Sequence, residues 1–464
     1  MSLKIILVNP SWGTKYPQPP LGLASLAAVL ETNGYSVEII DANALQLSEQ
    51  DAIMLVKGAD VVGITAMTPI INSAIKTAKG IKHANPNTTI ILGGPHATIY
   101  SKDILKNIPE IDVIVKGEGE DTIVELCWGL ENNSLDGIYG ITYRKGNQVI
   151  ENPPRPQITD LDTLPFLAYH LLPIDKYKLH PPHGRKSPLM AMLTSRGCPY
   201  NCIFCSKSVF GSTWRGQSPK RTVDEIEHLR DKFHVREIAF YDDSFTLKSK
   251  RVFQFTEELK KRDIDIIWTC ETRVNLINEE MLKAMKNAGC YMIAYGIESG
   301  NQSILSTLRK NITTEQVRFA VETTQKVGIQ TVGYFMIGSP GETTASIRQT
   351  INFAKSLPLD FAQFSVTIPF PGSDLYDIFF SKIDKDFCWD DFIYARTDSF
   401  APPVFETSEL SKDDLRNWNA AAYSEFYLRA SYIWNRFIGM RSLGDLKANL
   451  TGLQLFFEMR GKKQ

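Results

Sequence analysis

The sequence predicts an α/β protein of three units. An N-terminal doubly wound parallel-sheet domain is expected over residues 1–150, a partial (β/α)6 barrel over 188–376 and a mostly helical region over 377–464, with a proline-rich linker at 151–187. Three observations carry this reading. Short β-branched runs alternate with helix-patterned stretches through the first 130 residues, seven prolines then fall between 153 and 182, and the alternation resumes at Leu189 and stops near 375. Strands that alternate with helices are buried on both faces, which calls for a parallel sheet under helical layers.

In the first domain, strands are expected at 4–8, 36–40, 60–65, 89–92 and 112–115, and helices at 21–33, 72–82 and 121–130. A β-hairpin of 138–143 and 148–150 around Arg144-Lys-Gly-Asn147 follows. The prolines of the linker prevent regular helix or central strand, while its apolar portion, 161–172, is expected to pack on a domain and fix the relative orientation of the two. Barrel strands are expected at 189–194, 237–241, 264–269, 292–296, 330–336 and 361–366, separated by helices at 223–232, 250–261, 279–288, 314–327 and 344–357. Six such units make an open barrel, smaller than the eightfold form, with function at the strand carboxyl ends.

The final region has helical character over 410–432, starting near Ser411 or Glu409, and an apolar stretch at 443–457 able to pack on another domain. Tyr394, Trp418, Tyr423, Tyr427, Tyr432 and Trp434 either line a substrate cavity or, as aromatic stripes usually do, face a helical core.

A net charge of −1 offers no electrostatic argument for nucleic acid or an anionic membrane. The first ten residues read as a buried strand ended by a turn, and no apolar run reaches membrane-spanning length. The expectation is a cytoplasmic protein with no nucleic-acid partner and no transmembrane segment. Cys127, Cys270, Cys290 and Cys388 stand alone in apolar or mixed segments, where buried thiols are the common case.

The remaining three cysteines are different. Cys198, Cys202 and Cys205 fall in Thr194-Ser-Arg-Gly-Cys-Pro-Tyr-Asn-Cys-Ile-Phe-Cys205, on the loop after the first barrel strand. Three thiolates at C-x3-C-x2-C spacing can hold three corners of a four-iron four-sulfur cluster and leave the fourth iron open for chemistry. Tetrahedral zinc usually takes two C-x2-C pairs or a Cys/His set, and no second pair stands elsewhere. Three close cysteines also cannot pair evenly as disulfides.

Ligands of doubly wound folds sit beyond the strand carboxyl ends. That selects residues 9–20, Thr65-Ala-Met-Thr68, Gly93-Gly-Pro-His-Ala-Thr98 and Lys116-Gly-Glu-Gly-Glu120. The first turn, Asn9-Pro-Ser-Trp-Gly-Thr, lacks G-x-G-x-x-G and argues against NAD. Gly93 and Gly94 would let a large ligand approach the backbone, and Thr65 and Thr68 can offer hydroxyls, although ordinary turn chemistry explains the same residues. At the barrel rim, Asp242 and Asp243 can accept from a ligand ammonium, and Arg273 can pair with a carboxylate or with Glu271. Gly296-Ile-Glu-Ser-Gly300 and Met336-Ile-Gly-Ser-Pro-Gly-Glu-Thr343 combine close-approach glycines with polar side chains.

In this order, the motifs resemble those of the cobalamin-binding radical S-adenosylmethionine (SAM) enzymes, and Ile368-Pro-Phe-Pro-Gly-Ser-Asp-Leu-Tyr376 resembles the stretch that closes their barrel. The resemblance implies a cluster on Cys198, Cys202 and Cys205 whose open iron binds SAM. It implies SAM contacts at Tyr241, Asp242, Asp243, Arg273, Glu298, Ser299 and Gly338, within a glycine-rich motif over 338–342. It implies cobalamin contacts at Thr65, Met67, Thr68, Gly93, Gly94, Pro95 and Glu118. The D-x-H-x-x-G motif is absent from the first turn and His96 lies in a different loop, so cobalamin is expected base-off and His-off.

The activity so implied is methylation of an unactivated carbon of a small molecule or lipid, through a 5′-deoxyadenosyl radical and methylcobalamin. An external electron donor such as flavodoxin or ferredoxin would reduce the cluster. An oxidative cyclase or a rearranging or coupling enzyme of the same architecture is the alternative, and a cobalamin sensor or electron carrier a third reading.

Overall fold

The computed structural model describes residues 3–14, 16–178, 184–380 and 405–439. Its first sheet has seven strands: β1 (Lys4–Asn9), β2 (Ser36–Asp41), β3 (Val61–Thr65), β4 (Thr89–Gly93), β5 (Val113–Val115), β6 (Ile141–Lys145) and β7 (Gln148–Glu151), in spatial order β2-β1-β3-β4-β5-β6-β7. β1 to β5 are parallel. Strand period two divides β1 between two cores. Ile5 and Leu7 pack with helices Leu21–Thr32 and Glu120–Glu131, while Ile6 and Val8 pack with Ile71–Ala84 and Ser101–Asn107. The chain leaves β1 for one side of the sheet and returns to β3 on the other, so a crevice opens at the carboxyl ends of these strands.

The hairpin differs from expectation in two ways. Its turn is only Gly146-Asn147, with Gly146 at φ 60°, and β6 starts at Ile141. β6 also pairs antiparallel with β5, which makes the sheet mixed. Three helices, Glu49–Leu55, Pro95–Ile99 and Ser101–Asn107, were not expected, being too short to show a period.

The second sheet is a sequential parallel array of β8 (Leu189–Met192), β11 (Glu237–Phe240), β12 (Ile267–Thr272), β13 (Cys290–Glu298), β14 (Gln330–Ile337) and β15 (Phe361–Val366). A short ribbon of β9 (Ser195–Arg196) and β10 (Arg215–Gly216) lies beyond β8. Ile238, Phe240, Trp268, Cys270, Tyr295 and Phe335 face the surrounding helices, while Met292, Ala294, Val332 and Tyr334 fill the lumen. The third barrel strand begins at Ile267, not 264. Asp263 takes φ 51° and the Ile264 amide donates to Leu259, so these apolar residues finish the preceding helix.

The linker touches both domains: the Ala168 amide donates to Ala24, and the Tyr169 hydroxyl donates to Glu225 at 2.8 Å. The C-terminal helix Lys412–Tyr427 starts at Ser411 in a capping box with Asp414, and Ala430–Gly439 follows a break at Leu428. Trp418, Tyr423, Tyr427 and Tyr432 pack on the barrel core, so the core reading describes this stripe; Trp434 is exposed. The Tyr427 hydroxyl donates to Ala362 O at 2.8 Å and accepts from Ala362 N at 3.1 Å. Tyr394, Cys388 and 443–457 lie outside the described residues. Among the described residues no helix is long and apolar enough to cross a membrane.

Candidate active site

The cysteine loop leaves β8 and returns through the β9–β10 ribbon. Gly197 holds φ 83°, and a Cβ there would lie 2.3 Å from Thr213 O, so this turn admits only glycine. Ile203 anchors the loop among Ile304, Leu308 and Leu375, with its amide on Leu308 O and its carbonyl accepting from the Leu375 amide. Cys198 is half-buried, Cys202 buried and Cys205 exposed. The Cys205 thiol donates to Cys202, which pulls the Cys202 thiol below its ordinary value, and the charges of Lys310 and Arg273 add to this. Among the described residues no three His, Cys, Asp or Glu converge as the ligands of a single ion. A four-iron cluster asks for something else, because each cysteine binds a different iron. One thiolate-favouring group beside two further thiols fits that requirement.

Arg273 is 5% exposed and does not project into an open site. Its guanidinium donates to Cys202 Sγ at 3.4 Å, to Asn275 Oδ1 and to Lys310 O, and stacks over Tyr200 at 3.8 Å. The expected carboxylate contact gives way to a place beside Cys202. The alternative partner, Glu271, accepts instead from the Tyr334 hydroxyl at 3.0 Å across the lumen. Lys310, which the sequence did not single out, pairs with Glu298 at 2.6 Å, both side chains being less than one-tenth exposed.

The two adjacent acids part company. Asp242 is fully buried and accepts from Thr194 N at 3.3 Å, Thr194 Oγ1 at 2.9 Å and Ser195 Oγ, while Arg251 holds Thr194 Oγ1 at 2.7 Å. That carboxylate is consumed by the protein. Asp243 reaches solvent at the barrel mouth and accepts no hydrogen bond among the described residues. Its carboxyl lies above the usual range because the protein around it displaces part of its hydration and Asp242 repels its charge. Tyr241 donates to Gln18 Oε1 at 3.1 Å, joining the barrel rim to the loop after β1.

Ser299 and Gly338 also face the protein. Ser299 Oγ bonds Thr350 Oγ1 at 2.9 Å and accepts from Asn301 N, and a Cβ at Gly338 would meet Leu415 at 2.8 Å. Glu342 Oε2 accepts from Gly338 N at 2.6 Å and Ser339 N at 3.1 Å, while its other oxygen is buried without a partner. Burial raises its carboxyl to about 7. Tyr241 and Asp243 are thus the expected SAM contacts that reach the mouth, while Glu298 is buried against Lys310.

On the facing domain, Thr65 pairs in register with Gly93. Gly94, at φ 100°, brings the loop after β4 against Ala66, where a Cβ would lie 2.8 Å from a carbonyl; the chain itself requires this glycine. Gly93 is different. A Cβ there would find only Val115 O, at 3.7 Å, within 4 Å, which leaves room for a ligand. Met67 and Pro95 are exposed and Thr65 half-buried, which leaves an uncovered surface beside the Gly93 loop. Thr68 is buried, its hydroxyl 3.1 Å from His96 Nδ1. His96 is 1% exposed, and burial lowers its imidazole to about 4. The ring is held inside the domain, not presented to the crevice.

Glu118 is not available to a cofactor. It accepts from Arg196 at 2.8 Å, from Arg215 at 2.7 and 3.0 Å, and from the Ile158 amide at 2.9 Å. Ile99 and Ser206 both approach Gly372, so the first domain, the cysteine loop and the segment after β15 meet at one point.

A cysteine loop at the carboxyl end of a parallel six-stranded barrel, facing the crevice of a doubly wound sheet, defines a two-domain cofactor enzyme. The B12 binding domain model matches residues 14–127 and the Radical SAM superfamily model residues 192–354. An uncharacterized methyltransferase of Pyrococcus horikoshii is 38% identical over 438 residues, spanning 92% of this chain and 93% of that protein. The anaerobic magnesium-protoporphyrin IX monomethyl ester cyclase of Rubrivivax gelatinosus is 30% identical over 448 residues, spanning 93% and 78%. In fold, the chain is similar to the radical SAM methyltransferase TsrM of Kitasatospora setae, with TM-score 0.68 and 20% identity over 81% of this chain and 74% of that one. The cobalamin-dependent radical SAM enzyme OxsB gives TM-score 0.75 at 15% identity over 98% and 71%. The chain belongs to the cobalamin-binding radical SAM enzymes.

Proposed function

We propose that the protein is a cobalamin-dependent radical SAM methyltransferase acting on a carbon of a small molecule or lipid. The observation that carries this is the apposition of two sets of strand-end loops, the cysteine loop at the barrel mouth and the Thr65 and Gly93 loops of the B12 domain, joined by the Tyr241–Gln18 contact. When bound there, the cluster with SAM supplies a radical at the substrate carbon and cobalamin a methyl group. Cys198, Cys202 and Cys205 would hold the cluster. Arg273 and Lys310 place positive charge beside Cys202, which favours its thiolate. Asp243 would accept from the SAM ammonium, with Tyr241 beside it. Gly93, Thr65, Met67 and Pro95 would line the cobalamin face, and the inward His96 supports the base-off, His-off state. An external one-electron donor such as flavodoxin or ferredoxin completes the scheme.

The methyltransferase relative at 38% identity supports methylation over the cyclase reading at 30%. Anaerobic incubation of the cluster-loaded protein with SAM, dithionite and cobalamin tests the proposal. Methionine with 5′-deoxyadenosine and S-adenosylhomocysteine supports a methyltransferase, the first two without the third point to the cyclase reading, and none of them would refute both.

A further inference from the structure

Four charged side chains lie between the B12 domain and the base of the cysteine loop. Glu118 comes from the loop after β5 and Glu120 from the start of the helix that follows, Arg196 stands two residues before Cys198, and Arg215 is its partner on the β9–β10 ribbon. Their side chains are 3%, 6%, 11% and 6% exposed, so all four are effectively out of water. Arg196 reaches both acids, at 2.8 and 2.5 Å, and Arg215 grips Glu118 while donating to the carbonyls of Ile158 and Phe210. Ser25 donates to Glu120 at 2.7 Å.

Burying such a cluster gains little net stability, since an apolar group of the same shape would join the domains at least as well. What charges add is direction. Each guanidinium fork accepts only one arrangement of its acceptors, which fixes the ribbon, the linker at Ile158 and the β5 loop to one another. The same β5 loop continues to the cobalamin-facing side. The Gly117 amide donates to Thr98 Oγ1 at 3.1 Å, and that hydroxyl donates to Gly94 O at 2.9 Å. Two hydrogen bonds from the glycine loop of the B12 domain to Gly117, the Gly117–Glu118 peptide and the Glu118 ion pairs therefore form one continuous path to the root of the cysteine loop.

We propose that this four-charge clasp sets the position of the cysteine loop relative to the cobalamin-facing loops, and that Glu118 and Arg215 are its positioning residues. The inference rests on the two-cofactor reading above. The two reacting centres belong to different domains, so the distance between them is only as well defined as the joint that connects those domains.

The test uses the holoenzyme with the reconstituted cluster reduced by dithionite to its paramagnetic [4Fe-4S]+ state and cobalamin as cob(II)alamin, and reads the cluster-to-cobalt distance from their dipolar coupling in pulsed electron paramagnetic resonance. The wild-type protein should give one narrow distance distribution. The double variant Glu118→Met/Arg215→Met removes both charges together, leaving neither buried alone, and should keep iron, cobalamin and thermal stability while losing the single narrow distribution. A wild-type distribution in the loaded double variant overturns the inference. Should that variant fail to load, Glu118→Asp keeps the charge and shortens the reach. It should shift or broaden the distribution, and an unchanged one overturns the inference. A wild-type protein that binds no cobalamin would instead overturn the reading on which the inference rests.

Discussion

Asp242→Ala should destabilise the barrel severely, whereas Asp243→Ala should leave stability alone and weaken SAM binding. The Asp242 carboxylate receives three hydrogen bonds from Thr194 and Ser195 and lies beside Arg251, itself 8% exposed. Its removal leaves a buried guanidinium without its main counter-charge and three donors without their acceptor, a change that costs about 3–5 kcal/mol. For a cooperative unit of 150–250 residues, that corresponds to a fall in Tm of about 6–20 °C. Asp243 makes no hydrogen bond that its loss would break, so stability should stay within about 0.5 kcal/mol. Losing a charge-assisted contact to an ammonium costs about 1.5–3 kcal/mol, or roughly 10- to 150-fold in SAM Kd. Differential scanning fluorimetry and anaerobic calorimetry with SAM on cluster-loaded protein measure both. The reverse pattern, with Asp242→Ala stable and Asp243→Ala unfolded, would refute the assignment.

Three further outcomes are expected. Cys198→Ala, Cys202→Ala and Cys205→Ala should each reduce bound iron and abolish SAM cleavage, while Cys127→Ala, Cys270→Ala and Cys290→Ala retain the cluster; iron analysis after reconstitution decides. Glu342 titrates near 7 when folded against 4.5 in a free side chain, so the folded state holds its proton more tightly. Its contribution is complete below pH 4.5 and lost as pH rises through 7, a decline of about 3 kcal/mol by pH 8 that Glu342→Gln should reduce, as chemical denaturation at pH 5 and pH 8 would show. Cob(II)alamin bound to the protein should lack the nitrogen triplet in its paramagnetic resonance spectrum, and His96→Ala should leave that spectrum unchanged. A triplet that disappears in the variant would place His96 on cobalt.

The strands were legible because their β-branched runs are dense, and the active face because ligands of both sheet types sit at strand carboxyl ends. The opposed fates of Asp242 and Asp243 were legible too, had the alternation of β11 been continued. Ile238 and Phe240 face the helices, so Asp242 follows them toward Arg251 and Asp243 turns to the lumen. Glu118 and Arg273 were not. Their partners lie 97 and 71 residues away, and nothing local distinguishes an acid that holds a cofactor from one that holds an arginine. Lys310 escaped notice because it stands on a loop after a short helix, away from any strand end. The Glu271–Tyr334 pair was hidden by placing the third barrel strand three residues early.

The open barrel ends on β15, whose outer backbone groups have no strand beside them among the described residues. Such an exposed row is a template on which a strand from another molecule can assemble. Here a phenol occupies it. By donating to and accepting from Ala362, Tyr427 stands in for one residue of the missing neighbour, and Tyr432 does the same at Asp360 O, at 2.9 Å. The C-terminal helix pair is therefore a guard against aggregation as well as a wall of the barrel. A chain shortened before residue 405 would keep its cysteine loop and its first domain, yet offer a naked sheet edge to every other copy in solution.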